Sequence, residues 1–340
     1  MAWGIPSSEI SGALPAVPRS GTTDDSPFSR IVSSDPAGGV FLSPPGKTHR
    51  RQEIMNAAAL RSVRLDPVEQ TYGRRDACLY ALSVGFGADP MDPGQLKYVH
   101  GEAPGVLPSM LLVLASPGFW LMDSDLGVDW RSVVLARQRF SSLRPLPPSA
   151  RVTSRLRVSG VLDCGPQRGA LIRQERQVVD AMTGEVYGTV ENDALSRNDG
   201  GFDPHDVHRP HPVRVPATRA DVVVDVQTLP QSALMFDLHG IVNPIHSSPA
   251  AAAAAGFPRP ILHGLCTMGF THHALLRGLA AYDGGRVPEM SMEFLKVVFP
   301  GDRLRVSAWV AGEEVVYAVD VPDRSRRVAT GTARLVGGRP

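Results

Sequence analysis

Cysteine is scarce in this chain. Only Cys78, Cys164 and Cys266 occur in 340 residues, an odd count with no C-x-x-C pair. That argues against a disulfide framework or a structural zinc site, and a reducing compartment is the simplest setting. An excess of one charge is also missing: 35 basic side chains stand against 34 acidic ones, for a formal charge of +1. No nucleic-acid partner is expected from that balance, since such a partner calls for a clustered basic face. Long apolar runs are lacking too. The longest, Met110 to Met122, is interrupted by Pro117 and falls short of the ~20 residues of a membrane helix. The opening MAWGIPSSEISGALP has no basic region followed by an apolar run, so no secretory signal is read there. The expectation is a cytoplasmic protein without membrane attachment.

What the chain does have is material for a core. It is 43% hydrophobic and 20% charged, the profile of a folded globular protein, and its length suggests about two domains. Residues 1–55 are Ser-, Pro-, Gly- and Asp-rich with no apolar period and are read as a flexible tail. RRDACLYALSVGFGA predicts a helix ended by Gly85 and Gly87, and a second apolar helix is expected around Ser109 to Ala115. VVLARQRF, ARVTSRLRVSGVLDC, ALIRQERQVVDAM and EVYGTVENDAL alternate with a period of two and read as antiparallel strands with one wet face. Residues 197–218, rich in Pro, Gly and His, read as a linker. Then the order repeats: strand ADVVVDVQ, helix SALMFDLHG, an Ala-rich helix, the helix LCTMGFTHHALLRGLAAY and four closing strands. The expected organisation is α+β, with modules at 56–196 and 219–340.

The segment ALMFDLHGIVNPIHSSPAAAAAAGFPRPILHGLCTMG, Ala233 to Gly269, resembles the MaoC-like, type-2 (R)-specific enoyl-CoA hydratases. Their signature runs Y-R-x-S-G-D-x-N-P-x-H, then A-G-F-x-x-P-I-L-H-G-L-C-T-x-G. Asn243, Pro244 and His246 match its first half; Ala255, Gly256, Phe257 and Pro260 through Thr267 match its second. LYALSVGFGADPMDPGQLKYV, LPSM, NDGGFDP and KVVFPGDRLRVSAWV are similar to further elements of the two-hotdog members, so the likeness spans roughly residues 60–338. It implies a double hotdog, each module a central helix wrapped by a curved antiparallel sheet. It implies an acyl-CoA or acyl-carrier-protein substrate and no cofactor beyond that carrier. A homodimer is compatible with it. His246 and Asn243 take the positions of the family's catalytic loop, Gly264 that of the oxyanion donor, and His263 precedes it.

Two carboxylates are missing from that pattern. Ile241 stands where the catalytic Asp belongs and His239 where the Ser belongs. In the first half the K-[FY]-x-Y-E run is Lys97-Tyr98-Val99-His100-Gly101, and Ala136-Arg137-Gln138 replaces H-G-E-Q. Glu102, Asp237 and His239 are the candidate substitutes. Loss of an acid–base carboxylate typically costs about 10²–10⁴ in rate. The reading is therefore a hydratase/dehydratase. Its alternatives are a repurposed hotdog enzyme (conjugate addition, cyclisation, isomerisation or thioester hydrolysis) and a non-catalytic thioester-binding subunit. His205, His208 and His211 are spaced by three, but the prolines among them break any helix, and no metal site is expected. Cys266 is read as a small buried hydrophobe.

Overall fold

The computed structural model describes residues 55–338 apart from 124, 204 and 209–211, so all of the expected tail but Met55 lies outside it. In chain order the first elements are α1 (Ala57–Ser62), β1 (Val68–Tyr72), α2 (Arg74–Ser83), α3 (Pro93–Leu96), β2 (Val133–Ser142), β3 (Ala150–Ser154), β4 (Arg157–Asp163), β5 (Ala170–Asp180) and β6 (Val186–Ser196). There follow β7 (Val222–Gln227), α4 (Ser232–Asp237), α5 (Pro249–Ala254), α6 (Gly264–Leu279), β8 (Glu289–Phe294), β9 (Arg303–Ala311), β10 (Glu314–Val321) and β11 (Arg326–Arg334).

The period-two pattern produces the strands as expected. In β9, Leu304, Val306 and Ala308 are buried while Arg305 is exposed and Arg303 and Ser307 are half-buried, the signature of a sheet with one face on a core. The MTGE turn works through chemistry that its residues supply. The Asp180 carboxylate accepts from the N–H groups of Met182 and Thr183 at 2.8 and 2.9 Å, and Gly184 takes φ +77°.

The strands form one sheet in the order β1-β3-β5-β6-β2-β8-β11-β10-β9-β7, with β4 paired to β5. That order is a mirror about the antiparallel β2–β8 pair. On either side the same sequence of strands runs outward to a short edge strand that begins its half of the chain. This is a double hotdog, with the halves sharing a single ladder. Arg137 of β2 binds Glu293 of β8 at 2.6 Å across the seam, and one core of buried residues runs from Tyr72 through Phe140 and Phe270 to Leu335.

Two expectations need correction. The stretch ARVTSRLRVSGVLDC is two strands, broken at Arg155 and Leu156. Beside that break lies a hollow of about 590 Å³ lined in part by Arg155, Arg157 and Glu175. The second correction concerns the central helices. α6 fills its half as expected: of its sixteen residues only Gly264, Leu265, Arg277 and Gly278 escape burial, as an all-round apolar helix must. The first half has no counterpart. Ser109 to Ala115 does not form an α-helix; Pro108–Leu112 is a single 3-10 stretch, Ala115 turns to φ +47°, and Pro117 follows. The Arg176 guanidinium rises from β5 and takes the carbonyls of Leu111, Leu112 and Leu114 at 2.6–2.9 Å. It thereby does what the N–H groups of a next helical turn would do.

Between β6 and β7 the described residues form no helix or strand, only a bridge of Val207 to Asp163. The buried Asp163 carboxylate pins this segment by accepting from the N–H groups of Gly165, Gly201 and Asp203. All three cysteines are free thiols. Among the described residues no helix is long and apolar enough to cross a membrane.

Candidate active site

The loop after α4 carries the N-P-x-H residues because its own side chains shape it. The Asn243 carboxamide oxygen accepts from Ile245 N–H at 3.3 Å and starts a 3-10 turn, Pro244–His246, with Pro244 in its first position. Ser248 then caps α5. The turn presents the His246 ring to a cavity of about 440 Å³, whose walls come from both halves of the molecule.

The tautomer of His246 follows from its partner. Nδ1 lies 2.9 Å from the Ile261 carbonyl, which can only accept, so Nδ1 carries the proton and Nε2 keeps its lone pair. Burial and the neighbouring His263 ring push this imidazole down to about 3, outweighing the Ile261 carbonyl that pulls it up. The two rings stack with centroids 3.7 Å apart. His246 is thus a neutral base facing the cavity.

His263 is almost wholly buried, and burial likewise lowers it to about 4. Its Nε2 donates to the carbonyl of Ile241 at 3.2 Å. Asp237 Oδ1 lies 2.9 Å from the same nitrogen but off the N–H direction, and has no other partner. Asp237 therefore stands behind His263, outside the lining of the cavity. His239 also points elsewhere: its Nε2 meets Ser83 Oγ at 3.1 Å and its ring packs on Tyr80 of α2. Glu102 is exposed on a bend and does not line the cavity. Of the three candidate substitutes for a carboxylate, none reaches the cavity wall. Ile241 does, with its side chain partly buried against the core. Among the described residues no Asp or Glu lines this cavity.

Gly264 begins α6, with His263 at the N-cap. The first N–H groups of a helix have no intrahelical partner, and the dipole favours negative charge there. A Cβ on Gly264 would sit 3.2 Å from Leu135 of β2 and from the Phe294 ring of β8. Glycine keeps this approach open for a ligand oxygen.

The cationic side chains on the wall are Arg131, Arg176, Arg197 and Lys296. Arg131, Arg197 and Lys296 are exposed and form the rim. The Cys266 thiol is fully buried in the core, burial pushes it well above its ordinary value, and it donates to the Ser83 carbonyl, as the reading of a small buried hydrophobe expects. His211 lies outside the described residues, and among those described no three His, Cys, Asp or Glu converge as a metal site. Sequence reasoning missed the first half's contribution to this cavity: Trp120, Gln174 and Asn192 line it beside His246. The available signal was polar side chains at the buried parity of β5 and β6.

The description "MaoC like domain" matches residues 211–330. An enoyl-CoA hydratase of Mycobacterium tuberculosis is 36% identical over 279 residues, covering 80% of this chain and 95% of its own. The peroxisomal enoyl-CoA hydratase 2 of Arabidopsis thaliana is 32% identical, covering 83% and 96%. Among solved structures, a MaoC-like dehydratase from Phytophthora capsici superposes with a TM-score of 0.70 at 24% identity, over 84% of this chain and 98% of that one.

Proposed function

The chain belongs to the MaoC-like dehydratase family, and from that premise we propose that its cavity interconverts an (R)-3-hydroxyacyl thioester and the trans-2-enoyl thioester, carried on CoA or on a carrier protein. One observation carries the assignment of roles. His246, with its Nδ1 proton committed to Ile261 and Nε2 free, lines the same cavity as the N-terminus of α6.

In the hydration direction Nε2 of His246 takes a proton as the water oxygen bonds to Cβ of the enoyl group. The electron pair of the double bond moves onto the thioester carbonyl as an enolate, and the Gly264 N–H stabilises that oxygen. The imidazolium, made acidic by burial, returns its proton to Cα. Water is added with atoms balanced and the imidazole restored. Asn243 holds the loop that aims His246, and His263 packs against its ring. Arg131, Arg197 and Lys296 at the rim suit the phosphates of CoA or phosphopantetheine. We take residues 56–196 and 219–340 as the two modules, with 197–218 linking them.

Ile241 supports a second reading. An apolar wall where water must be gripped suits another nucleophile, and would redirect the enolate chemistry to conjugate addition, cyclisation or isomerisation. The test is full-length protein with crotonyl-CoA and longer trans-2-enoyl-CoAs, followed at the enoyl absorbance and by mass. Loss of absorbance with the mass of one added water supports hydration. Release of free CoA, or no turnover at any chain length, sinks it.

A further inference from the structure

The wall that β2, β5 and β6 give the cavity is largely apolar, but one row of it carries amides, with Arg176 in the row beyond. Gln174 of β5 pairs with Asn192 of β6, and Asn192 pairs with Gln138 of β2. Residues directly opposite in an antiparallel ladder share a face, so three carboxamides stand side by side across three strands. All three line the cavity that holds His246. The neighbouring row holds Ala194 and Leu135, and Leu135 is the residue against Gly264. The carboxamide row is two residues further along β6, about 7 Å away.

Two of these amides are held by hydrogen bonds, and all three are incompletely partnered. Gln174 is 4% exposed; its Oε1 accepts from Trp120 Nε1 at 2.7 Å, which leaves both Nε2 protons without a partner among the described residues. Gln138 is 2% exposed and donates its Nε2 to the carbonyls of Glu191 and Arg139, so its Oε1 remains to accept. The Asn192 carboxamide, half-buried, has no hydrogen bond among the described residues. Burying such groups unpaired is costly, and apolar residues would serve an unsubstituted acyl chain better.

Resting on the hydratase reading above, we infer that the distal end of this cavity binds a neutral oxygen function, a hydroxyl or a ketone, on the acyl chain of the thioester. Free donors on Gln174, a free acceptor on Gln138 and both on Asn192 match a group that donates and accepts. A carboxylate is not favoured, because the row itself carries no charge and three of the Arg176 guanidinium's donors are spent on the carbonyls of Leu111, Leu112 and Leu114. A chain lacking the oxygen leaves the amides dry and unpaired, which is how a polar subsite discriminates.

The test compares trans-2-hexenoyl-, octenoyl- and decenoyl-CoA with their ω-hydroxy and ω-carboxy counterparts. In parallel, calorimetry measures binding of the saturated octanoyl- and 8-hydroxyoctanoyl-CoA. The expected result is a preference of about tenfold or more for the hydroxylated chain at one of these lengths, in kcat/KM and in affinity. Asn192→Val, which breaks no internal hydrogen bond, and Gln174→Leu should each bring that ratio toward one. Because binding is read separately, a protein that selects the hydroxylated thioester without turning it over contradicts the hydratase reading and keeps this subsite. Equal or tighter binding of plain chains at every length, a preference for the carboxylate, or a ratio unmoved by Asn192→Val overturns it.

Discussion

The two halves of the molecule use the same strand plan to different ends. In the second half a long helix fills the curve of the sheet, and its first turn, with the loop before it, supplies Gly264, His263 and His246. In the first half the same place in the chain order holds five residues of 3-10 helix, with Arg176 closing their carbonyl end. The space a helix would occupy becomes cavity wall, built by Trp120, Leu156, Val190 and the carboxamide row. On the function proposed above, a duplicated scaffold would keep its chemistry on the filled copy and house the acyl chain in the hollow one. Four observations on variants or conditions would break or sharpen that contrast.

The largest effect belongs to the second half. His246→Ala should lower kcat by about 10²–10⁴ on every substrate chain length, with the melting temperature within a few degrees of wild type because the ring faces a cavity. Steady-state rates and a thermal melt check both; a rate near wild type would remove this imidazole from the mechanism.

Acid should then expose how unevenly the halves are built. Burial holds His239, His263, His272 and His273 near 4 and His246 near 3, and all five lie in the second half. In the unfolded chain they titrate near ~6.5. The unfolded state therefore binds protons that the folded state refuses. The stabilising contribution is complete above that pH and is lost as pH falls toward the folded values. Melting curves from pH 7 to 4 should lose roughly 10 °C or more; a flat profile would contradict the burial of these rings.

In the first half the comparable weak point is Arg176. Arg176→Met leaves the carbonyls of Leu111, Leu112 and Leu114 without their donor. The expected cost is about 2–4 kcal/mol, read by chemical denaturation. KM for long chains should rise with little change in kcat. An unchanged midpoint would mean that water or neighbouring donors replace the guanidinium.

Ile241→Asp gives the smallest effect. It restores a carboxylate to the wall beside His246, and hydration of crotonyl-CoA should rise only a few-fold, since groups that act as a unit do not add. A stability loss of about 1–3 kcal/mol should accompany it unless the imidazole pairs with the new charge. Brisk wild-type hydration with Ile241→Asp neutral or harmful would show that water is already gripped by another group.

The second half's side of this contrast was legible in the sequence, and the first half's was not, for physical reasons. The N-P-I-H and I-L-H-G segments encode their local geometry directly, in an Asn that caps a turn and a Gly at a helix start, so the presence of His246 and Gly264 on one cavity wall could be read from their order. The strands followed from alternation. The missing helix was misread because Ser109 to Ala115 has the composition of a buried helix, while its conformation is set by Pro108, Pro117 and an arginine that reaches it from over sixty residues away. Asp237 and His239 were named as possible carboxylate substitutes from proximity in sequence. Their actual directions, toward His263 and toward Ser83, depend on how α4 packs against α6 and α2. Gln174 and Asn192 could be seen only as polar residues at buried parity; that they form one row with Gln138 follows only when three strands pair in one register.

The division of labour between the halves is tested most directly by filling the hollow one. Val190 of β6 is buried, lies on the cavity wall in the row beyond the carboxamides and pairs with Arg176 and Phe140. In Val190→Phe, with folding checked by circular dichroism, the ratio of kcat/KM for trans-2-decenoyl-CoA to that for crotonyl-CoA should fall about tenfold or more relative to wild type. A ratio unchanged from wild type would place the acyl chain elsewhere and contradict the assignment of this half.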